Sequence, residues 1–136
     1  MSGIVAVSEA ASLAIHGVGV LASGGRMSAK KIAGIVNVSE GHLAKVLQKL
    51  AKEGLVTSVR GPGGGFQLAR PAGEISLYDV YSVIEGLPGG ESCLIRGGEC
   101  PFCGCIFGSL LGDLSRQFVC YLKNTTFAEI KRGEIE

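Results

Sequence analysis

No run of about 20 consecutive apolar residues occurs in this chain, because Gly, Pro and Ser interrupt every long stretch free of charge, so no membrane span is expected. The opening residues Met1-Ser2-Gly3-Ile4-Val5 lack a basic segment and a small-residue cleavage site behind an apolar core, so no secretory signal is expected and the chain reads as cytoplasmic. Histidine occurs only twice, at His16 and His42, with no nucleophile pattern nearby. The glycine run Gly61-Pro62-Gly63-Gly64-Gly65 lacks the Lys-Ser/Thr ending of a phosphate-binding loop and stands between two expected strands. An enzyme is therefore not expected. A zinc ribbon needs two Cys-x2-Cys knuckles, and only one is present. The 136 residues leave room for one domain, with one long element over for pairing with a second subunit.

The net charge of +1 argues at first sight against a nucleic-acid partner, but the charge is unevenly placed. Between Arg26 and Arg70, eight Lys/Arg face only Glu40 and Glu53, whereas from Pro71 onward five basic residues face nine acidic ones. That polarity points to a basic working face on the first half and a different use for the second. Solvation of helices by basic residues is the plainer alternative for the charge taken alone.

Ser8 can cap a helix running through Leu13, Ile15, Val18 and Leu21, ended by Ser23-Gly24-Gly25. Ser28 caps a short helix with Ile32, Ile35 and Val36 on its apolar side, and Asn37-Val38 turns the chain to Ser39, the next cap. Two helices joined so closely read as helix-turn-helix. On the second, Leu43, Leu47 and Leu50 form one face, and His42, Lys45, Lys49 and Lys52 form another. The alternating run Leu55 to Arg60, the Gly-rich turn, and Phe66 to Arg70 then make a hairpin. Helix-turn-helix followed by such a hairpin is the order of a winged helix, whose second helix enters the major groove. Ser76-x-x-Asp79 opens a further helix lined by Leu77, Val80, Tyr81 and Ile84. From about Cys105 to Lys123 the spacing of Phe107, Leu110, Leu114 and Phe118 marks a long amphipathic helix, with Thr126-x-x-Glu129 capping a last short turn. Such a helix, with nothing left in its own chain to cover it, is expected to pair with its copy in a homodimer.

The fold class is thus mainly α with a small β-hairpin: a winged helix-turn-helix DNA-binding domain over 1–86, a cysteine-rich loop over 87–104, and a dimerisation helix with its tail over 105–136. The expected reader of double-stranded promoter DNA is the helix after Ser39. Ser39 and Gly41 allow close approach, Lys45 and Lys49 attract phosphates, and Glu40 and His42 are placed to read base edges. Ser28 and Lys30 on the preceding helix, and Arg60, Gly61, Gly63 and Gly64 in the wing, complete it, with Arg60 suited to a narrow minor groove.

Four of the five cysteines fall in Cys93-x6-Cys100-x2-Cys103-x-Cys105. Thiolates borne on a Gly-rich loop suit an iron–sulfur cluster or, less well given the single Cys-x2-Cys knuckle, zinc. Packing is a poor account of four thiols within thirteen residues, and an odd total fits poorly with disulfides. Cys120, alone on the last helix, reads as a small buried apolar residue.

Leu43-x-x-Val46-Leu47-x-x-Leu50-x-x-x-Gly54-Leu55-Val56, Ser58-Val59-Arg60-Gly61-Pro62-Gly63-Gly64-Gly65-Phe66, the cysteine loop, Asp113-Leu114-Ser115 and Thr125-Thr126-Phe127-Ala128-Glu129-Ile130 resemble the IscR/NsrR-like regulators, the Rrf2 family. The resemblance implies a homodimeric winged helix with a crossed pair of long helices and a 2Fe-2S or 4Fe-4S cluster sensing redox state, nitric oxide or iron–sulfur supply. Repression is the preferred mode over activation. It also implies Cys93, Cys100 and Cys105 as cluster ligands. The gaps differ from the common family pattern, Cys103 is an extra thiol, and Gly108 stands where one branch has a ligating histidine. The fourth ligand is then Cys103 or, from the partner subunit, His16, with Ser12 and Glu9 on the same helix. Two alternatives stand beside this reading: a metal-free thiol-redox regulator of the same fold, and a cluster-carrying protein-interaction module without DNA binding.

Overall fold

Three serine-capped helices open the chain in the computed structural model, which describes residues 7–86 and 101–130. Helix α1 spans Glu9–Gly24, α2 Ala29–Val36 and α3 Glu40–Lys52. At each start a serine hydroxyl accepts from a backbone N–H of the first turn: Ser8 from Ala11, Ser28 from Lys31 and Ser39 from His42. These bonds satisfy donors that a helix leaves without an internal partner. Between α2 and α3 the chain reverses at Asn37, which adopts the left-handed conformation (φ 58°, ψ 56°) that asparagine tolerates better than most residues. Gly17 lets α1 lie close against α3, since a Cβ there would stand 3.3 Å from Leu43 Cδ1.

Strands β1 (Val56–Val59) and β2 (Gly65–Leu68) pair antiparallel with Val56 opposite Leu68 and Val59 opposite Gly65. Both are shorter than the sequence pattern. The hairpin is fastened to the helix-turn-helix through backbone bonds between Met27 and Phe66, at 3.0 and 2.7 Å. Gly65 makes that junction, because its φ is +146° and a Cβ would sit 2.3 Å from the Met27 carbonyl oxygen.

Helix α4 (Leu77–Glu85) begins with the capping box expected from Ser76 and Asp79, and its Val80 is fully buried. Helix α5 spans Leu110–Asn124. Its start corrects the expectation of a helix from about Cys105: Gly108 takes φ +59°, and residues 101–109 are turns. Apolar spacing reached back to Phe107, but the left-handed glycine stops the helix there. The expected Thr126–Glu129 box caps a short 3-10 turn whose Phe127 is buried. Bonds from Leu77 N to Thr125 O and from Phe127 N to Ile75 O, at 2.9 and 3.1 Å, tie the end of α5 to the start of α4. Tyr81 and Phe118 meet edge to face at 5.5 Å across α4 and α5. One core joins these elements, with Val18, Ile32, Leu43, Leu47, Leu50 and Val80 at its centre. The architecture is the expected mainly α winged helix-turn-helix with one hairpin and a C-terminal helix.

Candidate nucleic-acid interface and thiol segment

Helix α3 buries Leu43, Val46, Leu47 and Leu50, which fixes the direction it turns outward. At about 100° per residue the file opposite that stripe is Gly41, Lys45, Gln48 and Lys52, all exposed. Lys49 and Glu40 are exposed on its flanks. His42 lies nearer the core and is half-buried, with Nδ1 3.8 Å from the Glu9 carboxylate of α1. Gln48 rather than His42 therefore stands at the centre of the outward face. Counting Val46 among the apolar positions would have found it, since that residue rotates the buried stripe toward His42.

Ser28 and Ser39 are exposed at the heads of α2 and α3. Each oxygen accepts its capping bond, which leaves the O–H as a donor. Lys30 is exposed beside Ser28, and Arg60 is exposed at the end of β1. In the wing, Gly61 and Gly63 have φ of +94° and +73°. Gly64 donates to the Gly61 carbonyl at 2.8 Å. A Cβ on Gly64 would stand 2.4 Å from Val59 O, so the turn admits no side chain there. The helix-turn-helix and wing thus each carry exposed cations, hydroxyls or glycines on elements that are buried elsewhere along their length.

The second half presents different chemistry. Cys103 and Cys105 are exposed free thiols in the turns before α5. Cys93 and Cys100 lie outside the described residues. Among the described residues no three His, Cys, Asp or Glu side chains converge as a metal site. His16 is exposed on α1, its Nδ1 2.7 Å from the Ser12 carbonyl oxygen, so in the neutral tautomer Nε2 carries the free lone pair. Cys120 is exposed, contrary to the burial expected for it. The inward face of α5 is that of Phe118 and Leu122, and Cys120 lies off it beside Asn124, whose Nδ2 donates to Sγ at 3.2 Å. A shallow groove runs past it, lined by Arg116, Gln117, Tyr121 and Thr125. Along the same stretch Ile106, Leu110, Leu114 and Tyr121 are 73%, 50%, 41% and 63% exposed.

The profile of the Rrf2 family, described as an iron-dependent transcriptional regulator, matches residues 7–133. The chain belongs to the Rrf2 family. The transcriptional regulator IscR of Klebsiella pneumoniae is 34% identical over 97 residues, or 71% of this chain. The matched stretch spans 60% of the length of that curated relative. Among solved structures, CymR, the global cysteine regulator of B. subtilis, superposes with a TM-score of 0.76 at 27% identity, covering 93% of this chain and 95% of that one. IscR of T. potens superposes with a TM-score of 0.70 at 27% identity, covering 96% and 95%. This Rrf2 chain is thus similar over nearly its whole length both to a regulator of the IscR type and to one named for cysteine. As a family of transcriptional regulators, Rrf2 agrees with the expectation that the chain is not an enzyme. No helix among the described residues is long and apolar enough to cross a membrane.

Proposed function

We propose that this Rrf2 chain is a homodimeric transcriptional regulator that binds promoter DNA through α3 and the wing, represses by occupying it, and is controlled through the thiols that follow α4. The observation that carries this reading is the outward file of α3, with Lys45 and Lys52 on one side of a helix backed by core, and beside it a wing whose glycine turn begins at Arg60. Lysines and Arg60 neutralise phosphates, while Ser28 and Ser39 hydroxyls and the amides at the head of α3 fix register on the backbone. Pairing through the exposed apolar side of α5 would set two such readers about 34 Å apart, one turn of duplex.

An iron–sulfur cluster would supply a centre that responds to oxidants, nitric oxide or iron–sulfur supply. Cys93, Cys100 and Cys105 would hold it, with Cys103 or His16 of the partner subunit as fourth ligand. Solvent-facing thiols at Cys103 and Cys105, and the outward Nε2 of His16, fit that donor chemistry. Anaerobic purification followed by iron and sulfide analysis and retention on duplex DNA tests the reading. Coloured protein with matched iron and sulfide, whose DNA affinity changes when the iron is removed, is the expected result. Iron-free protein with a full DNA response contradicts it.

A second reading keeps the DNA reader and uses the thiols without metal. It is favoured by the exposure of Cys103, Cys105 and Cys120 as free thiols and by the superposition on CymR. Thiol titration before and after oxidant separates the two, because a thiol switch requires a reversible loss of free thiols in iron-free protein.

A further inference from the structure

Glycine and glutamine share the outward file of α3 with two lysines, and neither has a role inside the chain. Gly41 has an ordinary helical backbone, and a Cβ placed on it would meet nothing within 4 Å. Gly41 stands in the first turn of α3, where glycine costs less than the about 1 kcal/mol it loses to alanine in a helix interior, and no close contact in this fold requires it. What a bare position does allow is close approach of the helix to an outside surface. Gln48 lies two turns further along the same file and is exposed between Lys45 and Lys52. Lysine offers only donors and Glu40 only acceptors. The Gln48 amide offers one of each in a single plane, the pattern that adenine presents through N7 and N6 in the major groove.

We propose that Gln48 is the specificity-determining residue of α3, reading the adenine of one A·T pair in each half-site, with Gly41 left bare so that the helix can lie deep enough for it to reach. This rests on α3 entering a duplex as proposed above. The axial distance from Gly41 to Gln48 is about 10 Å, roughly three base-pair steps. The pair read by Gln48 therefore falls about three steps from the point where the head of α3 meets the groove. Lys45 and Lys52, on either side, hold the backbone and attract every sequence alike.

Selection from a random-sequence duplex pool, using the full anaerobically purified chain, tests this. The wild type is expected to enrich an A·T pair at a fixed position of each half-site. Gln48→Ala should lose that preference alone, by roughly 10- to 100-fold, with helix content and the salt dependence of binding unchanged. Gln48→Glu, of the same shape but accepting only, should shift the selected base at that position to cytosine, whose N4 donates. Lys52→Ala should weaken all sequences equally. A Gln48→Ala selection identical to the wild type overturns the assignment of Gln48 while leaving DNA binding intact. A wild-type chain that retains no duplex at all overturns the DNA-binding reading, and the assignment with it.

Discussion

Helices α3 and α5 are similar in length and amphipathicity, yet they meet opposite surroundings. Helix α3 buries Leu43, Val46, Leu47 and Leu50 within its own chain and turns lysines and an amide outward. Helix α5 buries Leu122, half-covers Phe118, and leaves Leu110, Leu114 and Tyr121 in solvent with Cys120 beside them. The first has its apolar side covered by its own chain, and the lysines on its outward side carry the charge that attracts phosphate. The second exposes groups that are costly in water unless something covers them. Helix α3 is thus complete within its own chain, whereas α5 joins the common core through Phe118 and Leu122 and keeps an apolar side uncovered, the side proposed above to pair with a second copy.

The contrast breaks first in stability. Leu47→Ala should cost about 2–5 kcal/mol in urea denaturation, because Leu47 is fully buried between α1 and α3. Leu114→Ala should change the unfolding of dilute monomer far less, and equal losses at the two sites would erase the distinction. Leu114→Lys should instead act on assembly. Sedimentation should show a shift from dimer to monomer, and affinity for a two-half-site duplex should fall on the order of 100-fold as the two readers are no longer linked. Dimers that survive this substitution would place the pairing surface elsewhere. A smaller effect belongs to Ser76→Ala, which removes one half of the α4 capping box and should cost about 1 kcal/mol, read as a lower thermal midpoint.

The smallest effect is a dependence on pH at the seam between α4 and α5. Burial, followed by the Glu85 carboxylate, raises the Tyr81 hydroxyl above its ordinary value near 10. A proton held more tightly in the folded chain stabilises it fully below that ordinary value, and the benefit is lost as pH climbs past it toward the folded value. Tyr81→Phe should therefore flatten the decline of stability between neutral and strongly alkaline pH. An unchanged decline would remove Tyr81 from the account.

Much of this was legible in the residues. The caps at Ser8, Ser28, Ser39 and Ser76 announce their helices because a hydroxyl followed by an apolar period is a local signal that packing does not override. The wing was equally plain, since glycines at positive φ can be little else between two alternating runs. Two features depart from the sequence pattern for physical reasons. Apolar spacing carries α5 back to about Cys105 because it does not register the left-handed turn at Gly108. Cys120 reads as interior from sequence because a lone thiol carries no phase of its own, and it is Phe118 and Leu122 that set the inward direction. Convergence of ligands from different elements is a tertiary matter that spacing cannot supply.

The most direct measurement is the affinity of the full chain for a labelled duplex as a function of salt, for wild type and Lys45→Ala. Binding through the α3 face predicts that log K falls linearly with log salt, with a slope shallower by about one in the variant. Identical slopes in the two proteins, or binding indifferent to salt, would contradict it.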